Sequence, residues 1–214
     1  MGDTPATTAT EPQGRRERNK LRVKNRIYEA ALVLFTQQGY DQTTVDEITE
    51  RADVARGTFF NHFQRKEDLI AEWGQERREL LREGLEAEGL TSSEDKATRQ
   101  VLSRCMSILA DISLRNPAQT KAMLTAWVRA GFPLHEHPYA AHMFSEFIRA
   151  GRERGDVPRD VDVELAGHML RDIYLGTLYQ WTRGPEDAAD LEASLQAACT
   201  AVLDGLVPRC ASVR

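Results

Sequence analysis

Residues 56–69 read RGTFFNHFQRKEDL, and the polar members of this stretch have the chemistry of a reader of base edges. Asn61 carries the donor–acceptor pair that matches adenine in a major groove, and the methyl of Thr58 suits a thymine methyl. Gly57 would let the backbone come close to the bases. His62 and Lys66 lie further along and suit phosphates, as do the first amides of a helix starting near Lys66. Upstream, residues 15–26 read RRERNKLRVKNR, basic at seven positions with Glu17 as the lone acid. Arg22 and Lys24 in this block can follow a phosphate backbone or enter a minor groove. A solubilising tail ahead of a helix is the other reading of such a block. The 214-residue chain has a formal net charge of −5, which argues against indiscriminate coating of nucleic acid and for one nucleic-acid-facing end.

Other chemistry is thinly represented. No nucleophile–base pair, phosphate-binding loop or convincing metal set is present, so no enzyme, cofactor or metal is expected. His135, His137 and His142 cluster around Pro138 without cysteine or a carboxylate pair, which is weak for a metal. Cys105, Cys199 and Cys210 are far apart and form no C-x-x-C pair; they read as small apolar residues of a reducing cytoplasm, with a sensing role left open. No apolar run approaches the roughly 18–20 residues of a membrane span. The N-terminus, MGDTPATTATEPQG, lacks the apolar core of a secretory signal, and Ala6 stands where a myristoylation site has Ser or Thr.

The elements that must position the reader are helices. Hydrophobic content is 41% and aromatic content only 7%, with many Ala, Leu, Glu and Arg, a mix that favours helix over sheet. Residues 1–18 are expected to be a disordered tail with a basic end. Helical periodicity begins near Asn19, with Ile27, Ala30, Ala31, Leu34 and Phe35 on one face and Gly39 as a left-handed stop. Thr44 to Glu47 reads as a capping box for a short helix that turns Val45, Ile48 and Ala52 inward. A tight corner at Ala52–Val54 follows, where Asp53 tolerates a left-handed φ. A second short helix is expected over Ala55–Phe63, with Phe59 and Phe63 packed inward and Phe60 on a flank. A longer helix runs from Lys66 towards Glu88, followed by the linker GLTSS. Five more helices are expected over 93–115, 117–130, 139–154, 162–183 and 187–206, bounded by Pro and Gly. Two short helices joined by a tight corner make a helix-turn-helix, spanning Thr44 to Phe63.

At these residues the chain resembles the DNA-binding domain of the tetracycline-repressor (TetR) family of bacterial regulators. The match runs through Ala30-Ala31, Leu34-Phe35, Gly39-Tyr40, Thr43-Thr44-Val45, Ile48, Ala52 and Val54. It continues through Gly57 to Phe63 and Lys66-Glu67-Asp68-Leu69, all within residues 24–70. Three positions depart from the family's habit: Phe60 stands for its usual Tyr, Ala55 for a capping Ser or Thr, and Asp53 for Gly. The resemblance implies an all-α protein with an N-terminal three-helix DNA-binding domain over 19–66, extending to about 81. A connecting helix over 67–89 then leads to an effector-binding and dimerisation domain over 90–214. It implies a ligand-responsive repressor that binds a palindromic double-stranded DNA operator as a homodimer and answers to a small, largely apolar effector. The implied DNA contacts are Arg22, Lys24, Thr44, Arg56, Gly57, Thr58, Phe60, Asn61, His62 and Lys66.

In the larger half, Ser194, Ala198, Ala201 and Gly205 form a small-residue stripe beside Leu191, Leu195 and Val202. The preceding helix is apolar nearly all round. Covering both helices calls for a core on one side and a partner subunit on the other, with Gly176 at the seam. Effector-lining candidates are Met106, Met123, Trp127, Met143, Phe147, Met169 and Tyr174, each equally suited to plain core packing. Asp172 is either solvated, ion-paired or turned to a ligand, with Arg171 expected to face elsewhere.

Overall fold

A computed structural model describes residues 12–90, 96–132, 139–184 and 191–206. Among these the secondary structure is entirely helical: α1 (Pro12–Gln38), α2 (Val45–Arg51), α3 (Arg56–Phe60), α4 (Glu67–Ala87), α5 (Thr98–Leu114) and α6 (Pro117–Arg129). The remaining three are α7 (Tyr139–Arg154), α8 (Val163–Arg183) and α9 (Leu191–Leu206). The chain divides into two compact units, and the division falls inside α4, after Ile70.

The first unit closes around Ile27, Ala31, Phe35, Ile48, Phe59, Leu69 and Ile70, all fully or almost fully buried. The α1 face is as its periodicity predicts, except that Leu34 is only partly buried. Helix α1 starts at Pro12, well before Asn19, so residues 12–18 are helical and not a loose tail. No apolar period announces that extension, because residues 14–20 are all exposed. Arg, Lys, Gln and Glu are nonetheless good helix formers and can prolong a helix that is already anchored. Residues 1–11 lie outside the described part.

Helix α2 is fixed by local chemistry at both ends. The Thr44 hydroxyl oxygen accepts from the Glu47 amide at 3.2 Å, and a Glu47 carboxylate oxygen accepts from the Thr44 amide at 2.8 Å, completing the expected box. At the other end the Asp53 amide donates to Glu50 O and the Val54 amide to Thr49 O, at 3.1 and 3.0 Å. Paired bonds of this kind stop a helix with one left-handed residue, here Asp53 at φ 50°. Helix α3 ends at Phe60, three residues short of the sequence expectation, with Asn61 as its C-cap. The amides of His62 and Phe63 share Phe59 O at 2.9 Å each, so the chain still places Phe63 on the buried side.

In the second unit α5 is the central element, with Val101, Leu102, Cys105, Met106 and Ala110 without exposure. Helices α7 and α8 meet where Gly167 faces Ser145 and the carbonyl of Ala141, so closely that a Cβ at position 167 would collide with both. Helix α9 lies on α5 through a polar ladder. Ser103 donates to Gln196 at 2.6 Å, Gln196 donates back to Ser103 O, and Ser107 donates to Glu192 at 2.8 Å. Between α7 and α8, Asp156 accepts from the Thr98 amide at 2.6 Å and so caps α5, while Asp162 caps α8 through the Leu165 amide. Two thiols, Cys105 and Cys199, are free and buried. Burial pushes both up, Cys199 to about 11.

Candidate nucleic-acid interface and ligand cavity

The surface around α3 follows from how its aromatic residues divide. Phe59 and Phe63 are buried with ring centroids 5.7 Å apart, and Phe60, 46% exposed, meets Phe59 edge-on at 5.3 Å. That arrangement leaves Arg56, Gly57 and Asn61 exposed and Thr58 partly buried. A Cβ at Gly57 would meet nothing within 4 Å, so the backbone there is open to approach. Arg56 is ion-paired with Asp46 of α2, and its guanidinium lies 5.7 Å from the Phe60 ring centre. Ala55 supplies no side-chain cap, leaving the first amides of α3 without the usual hydroxyl partner.

Helix α1 brings its charge to the same region. His62 is held below its ordinary pKa by burial first, then by the positive charges of Lys20 and Lys24. Lys24 also lies 5.9 Å from the Phe63 ring centre. Arg22 is exposed and donates to Asn19 at 3.2 Å. Arg26, by contrast, turns inward. Its guanidinium donates to the carbonyl of Ala52, to that of Asp53 at 3.0 Å and to the Asp53 carboxylate at 3.4 Å. It therefore staples the corner between α2 and α3, a role that a count of basic residues cannot reveal.

Three sequence assignments need correction. Lys66 does not stand free for a phosphate. Its ammonium donates to Tyr40 O at 2.7 Å and Thr43 O at 2.9 Å, and sits 4.0 Å from the Tyr40 ring centre. Burial lowers its pKa. Lys66 thus clamps the turn between α1 and α2, helped by Tyr40 donating to Glu67 at 2.6 Å. The amides ahead of α4 are also taken, because the Asp68 carboxylate accepts from Gln64 at 2.7 Å and Arg65 at 3.2 Å. A carboxylate at a helix N-terminus occupies the place a phosphate would take. Thr44, finally, is exposed, but its hydroxyl is committed to the cap of α2.

The second unit contains a cavity of about 440 Å³. Of the eight predicted lining residues, Trp127, Met143, Asp172 and Tyr174 line it. Met106 and Met123 do not; both have no exposure and belong to the core. Phe147 is partly buried away from the cavity, and Met169 is 41% exposed on the surface of α8. Sequence reading missed the contribution of α4, which supplies Trp73, Arg77, Arg78 and Leu81. The only signal there was one turn bearing Trp73 and the next bearing Arg77 and Arg78 inside an amphipathic helix, which ordinary packing explains equally well. Arg171 does not face elsewhere: its guanidinium folds back onto Asp172 at 2.5 and 2.8 Å.

The proposed interface residues separate into two sets. Leu191, Leu195 and Val202 are buried within the protomer and cannot meet a partner, because α9 turns that stripe onto its own core. Gly176, Ala201 and Gly205 are exposed, and Ser194 and Ala198 are partly buried. Leu165 and Tyr179, at 57% and 42% exposure, join Met169 as apolar surface on α8. Among the described residues no group of three or more His, Cys, Asp or Glu could hold a metal; His135, His137 and Cys210 lie outside them. No described helix is long and apolar enough to cross a membrane.

Comparison with known proteins places this geometry. The family described as "Bacterial regulatory proteins, tetR family" matches residues 27–73. The chain is 43% identical over 68 residues to the HTH-type transcriptional regulator TcmR of Streptomyces glaucescens, a match covering 31% of this chain and 30% of that protein. It is 27% identical over 197 residues to the HTH-type transcriptional repressor KstR of Mycolicibacterium smegmatis, covering 87% of each. Among solved structures, Thermus thermophilus FadR, a transcriptional repressor in complex with lauroyl-CoA, superposes with a TM-score of 0.67 at 27% identity. That superposition covers 89% of this chain and 98% of FadR. From the Thr44 cap through the left-handed Asp53 corner to the buried Phe59 and Phe63, residues 27–73 match the tetR family of bacterial regulators, and the chain as a whole is similar to helix-turn-helix transcriptional repressors.

Proposed function

We propose that the protein is a ligand-responsive repressor that occupies a palindromic operator as a homodimer. The observation that carries this reading is the split face of α3: Phe59 and Phe63 buried, with Gly57, Thr58, Phe60 and Asn61 turned towards solvent or the flank. Asn61 reads a base edge, Thr58 and Phe60 supply apolar contact to a sugar or thymine methyl, and Arg22, Lys24, Arg56 and His62 serve phosphates. Two copies would place their α3 helices about one turn of B-DNA apart or slightly more. The exposed apolar residues of α8 and the small residues Ala201 and Gly205 of α9 support a helical interface between copies. Effector binding belongs to the 440 Å³ cavity, a volume within the usual range for small-molecule sites. Helix α4 carries both Glu67–Ile70 of the first unit and cavity residues of the second, so a ligand that shifts α4 alters operator affinity, and operator alters ligand affinity equally. No catalytic step is assigned to the chain.

Selection from a random duplex library at several salt concentrations tests the reading. The expected result is an inverted repeat bound at least about a thousandfold better than random DNA, with a steep salt slope. Equal binding to all duplexes would sink it. Asn61→Ala should relax preference at one base position, whereas Lys24→Ala should weaken every duplex and lower the slope by about one.

A further inference from the structure

The cavity walls are unevenly charged. Trp73, Leu81, Leu109, Leu124, Trp127 and Phe132 make most of it apolar, yet three arginines, Arg77, Arg78 and Arg171, also reach it. Asp172 is the sole acid among the described lining residues, and Arg171 already holds it. Arg78 donates to Gln75 at 2.9 Å. Arg77 differs from both in reaching across to α5 and α8. Its guanidinium donates to the Ser113 hydroxyl at 2.7 Å and the Tyr174 hydroxyl at 3.0 Å, and lies 4.9 Å from the Trp73 ring centre. Each of those partners is neutral, so among the described residues no carboxylate answers this charge.

The hydroxyls are themselves oriented. Ser113 donates its proton to Leu109 O at 2.7 Å, which leaves its oxygen to accept from Arg77. The Tyr174 oxygen accepts from Arg77, so its own O–H can donate to an oxygen placed beside it. The remaining guanidinium N–H groups and the Tyr174 O–H then form one donor cluster on an otherwise apolar wall. A cationic ligand would be repelled there, and a wholly apolar one would strip water from the guanidinium without replacing it.

We propose that the cavity takes an amphipathic anion: an apolar body in the aromatic and leucine-lined part, with one carboxylate on Arg77 and Tyr174. The planar fork of an arginine matches a carboxylate, and charge-assisted bonds gain strength in an apolar surround. This rests on the cavity being the effector site, and it names the chemical class that site selects.

Calorimetric titration of the full-length protein without DNA tests the assignment. The probes are dodecanoate, dodecan-1-ol, dodecyltrimethylammonium and dodecyl phosphate, all below their aggregation thresholds. Dodecanoate is expected to bind about tenfold or more tighter than the alcohol, with the ammonium compound weakest. Arg77→Gln should erase that preference, Arg77→Lys should restore part of it, and Tyr174→Phe should lower dodecanoate affinity several-fold and alcohol affinity by less. Equal binding of acid and alcohol overturns the proposal, as does dodecyl phosphate outbinding dodecanoate or an Arg77→Gln protein that retains the preference. If Arg77→Gln does not fold, the acid-to-alcohol ratio of the unaltered protein decides. Failure of every probe to bind also overturns it. The duplex selection, which needs no ligand, is untouched by that outcome.

Discussion

The two units hold themselves together by different means. In the first, the short connections are tied by named polar bonds: Thr44 and Glu47 at the head of α2, Arg26 at the corner after it, and Lys66 across Tyr40 and Thr43. In the second, long helices meet through broad apolar faces, the Ser103, Ser107, Gln196 and Glu192 ladder between α5 and α9, and close approaches at Gly84, Gly151 and Gly167, and they leave a cavity between them. A small core built from few large side chains must fix its loops individually, because packing alone does not determine where a two-turn helix points. Long helices are located by many weak contacts and can tolerate an open space between them. The first arrangement suits a surface that must present α3 in one pose; the second suits a volume that must admit a guest.

The contrast can be broken experimentally. Phe59→Ala should cost about 3–5 kcal/mol, since it empties the centre of the first unit. Chemical denaturation should show that loss, and a cost below about 1 kcal/mol would mean the polar ties rather than the core dominate there. Gly167→Ala should cost about 1–3 kcal/mol, because the added methyl meets a backbone carbonyl that cannot step aside. An unchanged melting temperature would refute the tight α7–α8 contact. Lys66→Met should destabilise by about 1–3 kcal/mol while leaving the salt slope of DNA binding as it was. A slope reduced by about one, with stability intact, would return Lys66 to the phosphates. Thr44→Ala should cost about 1 kcal/mol in the same assay.

The smallest effect concerns pH. Folded His62 binds its proton less readily than a histidine at the ordinary 6.5, so as pH falls through that value the unfolded chain is protonated first. Stability contributed by neutral His62 is therefore present above about pH 7 and lost as pH drops towards the folded value. The melting temperature between pH 7.5 and 5.5 should fall slightly more for the unaltered protein than for His62→Gln. An identical fall in both would exclude His62 from the balance.

Much of the first unit was readable because its determinants are local. A capping box needs residues three apart, and a left-handed corner needs one residue that tolerates it, so Thr44, Glu47 and Asp53 declared themselves. A helical wheel likewise separates Phe59 and Phe63 from Phe60. The Lys66 clamp was not readable, because its acceptors are carbonyls 26 and 23 residues away, and carbonyls leave no trace in sequence. Arg26 looked like one more member of a basic run for the same reason. In the second unit a wheel shows that Met106, Met123 and Met143 are inward, but not which of them borders a void. A cavity is what remains after side chains from five helices have filled the space, and no single helix encodes it. Leu191, Leu195 and Val202 failed similarly: an apolar stripe says that something covers it, not whether that cover is the same chain.

The buried thiols carry a consequence for time rather than structure. Cys105 and Cys199 sit on α5 and α9, where burial keeps both protonated and out of reach of reagents. An alkylating probe can react with them only during the intervals in which those helices part. In a Cys210→Ser background, their labelling rate becomes a clock for how often the second unit breathes. A guest that fills the cavity should slow that clock without touching either sulfur.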